Sequence, residues 1–125
     1  MMNTKILLTI AALVQFVFAL VGTFMPDEVV GYLGGGSGSA MLFVQLLGAA
    51  TLGLAMMNYM SRGSRIGGIY NKPLLIGNLA FWVSSAAALW RFEPVPDMQM
   101  LHYAIAGVFT VLALCFLIVF FRSPV

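Results

Sequence analysis

Residues 98–121 read MQMLHYAIAGVFTVLALCFLIVFF, a run without one Asp, Glu, Lys or Arg, closed by Arg122. A helix of about 20 apolar residues crosses the hydrocarbon core of a bilayer, so this run is long enough to span it. Backbone N–H and C=O groups have no water to bond inside lipid. They must satisfy one another along the segment, and a helix does so.

Three similar runs lie upstream. Ile6–Met25 is bounded by Lys5 and by Pro26-Asp27. Ala40–Met60 lies between a glycine-serine stretch and Arg62, and Leu74–Trp90 lies between Pro73 and Arg91. The third run is the shortest and sits near the lower limit for a span. The spacing predicts an all-α integral membrane protein: one transmembrane domain over 1–125, with spans of about 6–25, 40–60, 74–90 and 98–121 in a four-helix up-down bundle. Left-handed packing with crossings of about 20° is the expected geometry.

Composition agrees. The chain is 62% hydrophobic and 8% charged, against roughly a quarter charged in soluble domains. So few charges could not cover a surface facing water. The net charge of +2 does not point to nucleic acid, because the six basic residues sit at the ends of apolar runs rather than in a patch. There they orient the chain and meet lipid headgroups. A cleaved signal peptide over the first run is disfavoured, since the run exceeds an ordinary h-region and no clean small-x-small site follows.

Basic residues in short loops set orientation. The N-terminus, second loop and C-terminus carry Lys5, Arg62, Arg65, Lys72 and Arg122 and no acid. The first and third loops carry Asp27, Glu28, Glu93 and Asp97, with Arg91 as the lone base. The expected topology is therefore N-in and C-in. The first loop opens as one short turn on the outer surface, then runs from Gly34 to Ser39 with the composition of a flexible linker. Pro94 and Pro96 predict a stiff third turn joining adjacent antiparallel helices.

The second loop reads Ser61-Arg62-Gly63-Ser64-Arg65-Ile66-Gly67-Gly68-Ile69-Tyr70-Asn71-Lys72-Pro73. It lacks the Gly-Lys-Ser/Thr of a P-loop. Arg62, Arg65 and Lys72 are expected to contact anionic lipid headgroups. Within this stretch and just beyond it, Arg62-Gly63-Ser64, Ile66-Gly67-Gly68-Ile69-Tyr70, Pro73-Leu74 and Gly77-Asn78-Leu79 resemble a segment of small uncharacterised bacterial membrane proteins of four helices. The resemblance covers a minor share of the chain. It implies a bacterial inner-membrane protein and brings no activity with it. The chain departs from small multidrug exporters, whose first helix carries an embedded Glu; the first span here offers Gln15 instead.

Polar residues inside spans are the functional candidates. Gln15, Gln45, Asn78 and His102 are singled out as helix-packing or ligand positions. Small residues at helical spacing beside them predict packing faces: Ala11, Gln15, Phe18 and Gly22 on the first span, Gln45, Ala49 and Gly53 on the second, Gly77, Ser84 and Ala88 on the third. Met98 and His102 share a face at i, i+4, with Met25 and Met41 expected at the same depth, which makes a weak Cu(I) candidate. Packing accounts for methionines in an apolar chain more simply, so no metal or other cofactor is expected. Cys115 reads as a small apolar core residue; more than three helical turns separate it from His102, so the two form no nucleophile–base pair. Trp82 is expected to pack mid-span, and Trp90 to sit at headgroup level.

A faint repeat relates Met41-Leu42, Gly48 and Thr51 to Met100-Leu101, Gly107 and Thr110 at constant offset. The expectation for function is a non-catalytic scaffold or accessory subunit binding lipid and partner helices, as a homo-oligomer or within a larger complex. The alternative is a transporter or binder of a small apolar or metal ligand, using the interior amides and His102.

Overall fold

The computed structural model describes residues 3–35, 38–64, 66, 71–94 and 96–121. Their regular structure is helical: α1 (Thr4–Phe24), α2 (Pro26–Tyr32), α3 (Gly38–Met60), α4 (Lys72–Arg91) and α5 (Gln99–Phe121), the last entered through a 3-10 turn at Pro96–Met98. Four helices, α1, α3, α4 and α5 with its leading turn, are long and apolar enough to cross a membrane.

The ends follow local chemistry. Asn3 caps α1, its Oδ1 accepting from the Lys5 and Ile6 amides at 3.0 and 3.4 Å, so α1 begins before the apolar run does. Pro73 lies in the first turn of α4, where its missing N–H costs nothing. Asn71 precedes it in the left-handed region at φ 51°. These starts carry α4 to 20 residues, so the run expected to be shortest reaches a comfortable spanning length. Gly34 and Gly35, at φ 102° and 92°, turn the chain out of α2 through a region that favours glycine.

Antiparallel pairing makes two hairpins. In the first, α1 lies along α3, buried through Leu8, Ala12, Gln15, Ala19 and Gly22 on one side and Gly48, Thr51, Ala55 and Asn58 on the other. Both rows alternate steps of three and four, the spacing of a left-handed seam. The backbones approach closely where Gly22 meets Gly48: a Cβ on Gly22 would lie 3.2 Å from the Val44 carbonyl oxygen, and one on Gly48 would lie 2.9 Å from Thr23 Oγ1 and 3.1 Å from the Ala19 oxygen. Small residues allow this approach, and dispersion then replaces the hydrophobic effect that lipid does not supply.

The second hairpin, α4 with α5, is held by large rings. Trp82 and Phe109 stand edge to face at 4.9 Å, and Phe18 of α1 meets Phe109 at 5.1 Å. This aromatic contact joins the hairpins. Below it, Leu7 and Leu8 of α1, Ile66, Leu75 of α4 and Phe116 of α5 belong to one buried cluster. Cys115 packs half-buried against that cluster.

Two of the three expected faces point outward from the bundle. The α1 face is as read, with Ala11, Gln15 and Gly22 buried and Phe18 half-buried. On α3, however, Gln45, Ala49 and Gly53 are exposed, and the row through Gly48 and Asn58 is buried instead. On α4, Gly77, Ser84 and Ala88 are exposed, and Leu75, Asn78, Trp82 and Ala86 turn inward. Burying Trp82 and Leu75 removes more surface than burying small residues would, and Asn58 and Asn78 find partners only inside. The two glycines of the faint repeat differ in their surroundings. Gly48 is a close-contact residue, while a Cβ on Gly107 would meet nothing within 4 Å.

The α1–α3 seam yields a direct test. Gly48→Ala should lower stability in detergent or nanodiscs by about 1–3 kcal/mol, because backbone atoms must move apart. Gly53→Ala, where an added Cβ meets nothing within 4 Å, should be neutral or slightly stabilising. Equilibrium unfolding of the two variants side by side checks this.

Candidate functional site

The polar residues of the spans gather at two places. The first is a cluster of amides between the hairpins. Asn58 near the end of α3 donates from Nδ2 to Gln15 Oε1 of α1 and to Asn78 Oδ1 of α4, both at 2.7 Å. Asn78 donates back from Nδ2 to Asn58 Oδ1 at 2.6 Å and to the Leu74 carbonyl at 2.9 Å. The Trp82 indole N–H donates to Asn78 Oδ1 at 3.3 Å. Gln15, Asn58, Asn78 and Trp82 are all at most 1% exposed.

The sense of every bond is dictated from one end. A carbonyl such as Leu74 O can only accept and an indole N–H can only donate. Asn78 must therefore turn Nδ2 to Leu74 and Oδ1 to Trp82. That orientation makes Asn58 offer its own Nδ2 to Asn78 Oδ1, and the same nitrogen then demands an acceptor from Gln15. Flipping any one amide would set donor against donor or acceptor against acceptor. The chain ends at Gln15, whose Nε2 is the buried side-chain polar atom without a hydrogen-bond partner among the described residues.

Asn58 is the centre of this network, and hydrophobic patterning alone does not single it out. It lies near the C-terminal end of an apolar run, beside Tyr59 and four residues before Arg62, where hydrophobicity alone gives it no weight. The available signal was an amide spaced three, seven and ten residues after Ala55, Thr51 and Gly48, one helical face of small and polar residues.

The second place is the other end of the bundle. His102, fully buried, has its Nε2 2.6 Å from the Leu89 carbonyl oxygen of α4. The oxygen cannot donate, so Nε2 carries the proton. In the neutral ring Nδ1 is then an acceptor, and the Tyr32 hydroxyl of α2 donates to it. Phe92 and Tyr103 flank the imidazole with ring centroids 5.6 Å away. Burial raises the Tyr32 phenol above its ordinary pKa, which keeps it protonated as the donor. This clasp ties the first loop to the α4–α5 hairpin.

The remaining candidates are dispersed. Gln45 stands exposed on α3. Met98 is half-buried, but both nitrogens of His102 are engaged, so a metal could reach the ring only by displacing Tyr32. Among the described residues no group of three or more His, Cys, Asp or Glu could hold a metal ion. Arg62 folds back onto α3, donating to the Tyr59 carbonyl at 2.7 Å with its guanidinium 4.0 Å from the Tyr59 ring centre. Lys72 lies over the Phe120 ring at 5.1 Å. Arg65 falls outside the described residues, as does much of the segment carrying the bacterial resemblance. Trp90 is exposed at its helix end, but its indole N–H turns to Thr110 Oγ1 at 2.7 Å.

No family model matches this chain, and no curated protein or solved structure is significantly similar to it.

The amide cluster is neutral and offers no general acid, base or nucleophile at its centre. Its chemistry is hydrogen bonding, and it ties three helices together. Asn58→Leu strips partners from both Gln15 and Asn78, and unmet buried groups cost about 1–3 kcal/mol each. Gln15→Met removes one bond and also the unpartnered nitrogen. Unfolding in a lipid-like medium should rank Asn58→Leu as the more damaging by at least about 1 kcal/mol.

Proposed function

We propose that this chain is a small non-catalytic membrane protein that acts by binding helices, as a scaffold or accessory subunit, with a second copy of itself as the first partner. The observation that carries this reading is the outward face of α3, where Gln45 projects from an otherwise apolar surface with Ala49 and Gly53 one and two turns on. An amide facing hydrocarbon gains from finding a partner, and small residues let a second backbone approach. An amide is also self-complementary, with donors and an acceptor on one group. Across a two-fold axis along the membrane normal, Gln45 would meet its own copy at equal depth, as an isologous contact requires.

In this reading the protein lies in a bacterial inner membrane with both termini cytoplasmic. The charge asymmetry of the loops supports that orientation. So does the antiparallel pairing, which gathers the start of α1, the end of α3 and the start of α4 at one end, away from Asp27, Glu28, Glu93 and Asp97. Anionic headgroups would meet Arg65 and, in exchange with their present contacts, Arg62 and Lys72.

A second reading, a binder of a small apolar ligand carrying an acceptor oxygen, draws on the unpartnered Gln15 Nε2. It separates from the first by residue: ligand retention in native mass spectrometry should depend on Gln15, and self-association on Gln45.

Self-association is read by fluorescence transfer between labelled copies diluted into vesicles. Gln45→Leu should weaken the dimer about 3- to 30-fold, the equivalent of roughly 0.6–2 kcal/mol for an interhelical amide bond. Ala49→Cys in a Cys115→Ser background should cross-link to itself, and Val111→Cys on the exposed side of α5 should not. A chain that stays monomeric at every lipid ratio overturns the reading. Topology has its own check: an impermeant thiol reagent added outside cells should label Glu93→Cys and spare Arg65→Cys.

A further inference from the structure

We propose that Tyr32 and His102 form a one-electron, one-proton oxidation site, in which the phenol gives an electron to a lipid peroxyl radical and its proton to the imidazole. Tyr32 is set apart by its partner. Among the described residues it is the tyrosine whose hydroxyl is hydrogen-bonded, and the acceptor is Nδ1 of the chain's single histidine. The side chains of Tyr59 and Tyr103 make ring contacts instead. Burial raises the Tyr32 phenol above its ordinary pKa, so the reduced site holds a neutral phenol.

A phenol that loses an electron becomes a strong acid. Its oxidation is therefore easiest where a base already stands ready for the proton. The Leu89 carbonyl holds the proton of the imidazole on Nε2, which leaves Nδ1 as that base. In the step the Tyr32 O–H bond breaks, an N–H bond forms at Nδ1, and one electron leaves. The peroxyl radical takes the electron and a proton from interfacial water and becomes a hydroperoxide. A neutral phenoxyl and an imidazolium remain. Every hydrogen bond survives: Nε2–H still donates to Leu89, and Nδ1–H now donates to the phenoxyl oxygen. Both N–H groups of the cation are bonded, which offsets part of the cost of its burial. The proton shifts along an existing bond and no side chain has to move.

A chain of rings leads from this pair to the surface. The rings of Tyr32 and His102 lie 5.9 Å apart between centroids, and Tyr103 stands edge to face with His102 at 5.6 Å. Trp90 stacks on Tyr103 at 5.9 Å and 23°. The Trp90 indole N–H is engaged by Thr110 Oγ1 at 2.7 Å, which holds the ring against Tyr103. Trp90 and Tyr103 are both exposed near helix ends, the depth to which a polar peroxyl group rises in a bilayer. Four rings in contact thus give the electron a path from the phenol to the lipid.

The test uses the full chain in nanodiscs of unsaturated lipid, where a lipophilic azo initiator generates peroxyl radicals. Freeze-quenched electron paramagnetic resonance should show a phenoxyl radical that forms more slowly in heavy water. Tyr32→Phe should remove it, and Tyr59→Phe, at the opposite end of the bundle, should leave it unchanged. His102→Gln keeps a neutral hydrogen-bonding group but no base for the proton. It should slow formation of the phenoxyl at least about 10²-fold, the ordinary contribution of a positioned base. Trp90→Leu, which cuts the ring path, should slow formation without altering the spectrum. With 15N-labelled histidine the radical should couple to an imidazole nitrogen. A phenoxyl that survives in Tyr32→Phe overturns the proposal by assigning the radical to another tyrosine. An undiminished rate in His102→Gln overturns it as well. If that variant fails to fold, the native chain still decides: a radical without nitrogen coupling and without a deuterium effect on its formation shows that the imidazole does not take the proton.

Discussion

A polar side chain buried among membrane-length helices has no water to fall back on, and most of this bundle follows from that constraint. Leu74 offers a carbonyl and Trp82 an indole N–H, and neither can exchange roles. Asn78 is oriented by both. Its orientation sets Asn58, and Asn58 in turn selects the oxygen of Gln15. Three helices from two hairpins thus share one directed network. Each interhelical bond is worth only about 0.6 kcal/mol on average. The larger effect is on alternatives: a rotated or shifted helix would strand several amides together, and each stranded group costs more than its bond contributes.

The two hairpins reach contact by opposite means. α1 and α3 meet through glycine and alanine, so that backbone lies against backbone at Gly22 and Gly48. α4 and α5 meet through Trp82, Phe109 and Phe116, which fill a wider gap with rings. Small residues line the buried face of α1 but not that of α4. There the exposed Gly77, Ser84 and Ala88 leave the interior to Trp82. Dispersion energy scales with the atoms brought into contact, so the largest side chains take the inside wherever the neighbour leaves room for them.

At the end of the bundle that holds His102 the constraint works over a longer distance in sequence. His102 and Tyr32 are 70 residues apart, and Leu89 comes from a third element. A helix of seven residues would not hold its place alone. Buried Pro26 and Val30 and the phenol–imidazole bond hold α2 on the bundle. The first loop therefore has a packed half and a glycine half, which the composition of the segment as a whole obscured.

The four long helices and the charge contrast between loops were legible in the chain alone. Hydrophobic length and the position of Lys and Arg are properties of consecutive residues, and lipid forces such runs to be helical whatever their neighbours. Gln15, Asn78 and His102 stood out for the same reason, as polar groups in apolar runs. The tertiary structure alone decided which faces turn inward, that Asn58 joins Gln15 to Asn78, and that Gln45 is left outside. A helix nearly apolar all round carries little imprint of its buried side, because lipid and protein interior are almost equally good solvents for it. Only packing, and the need of each amide for a partner, distinguishes one face from another.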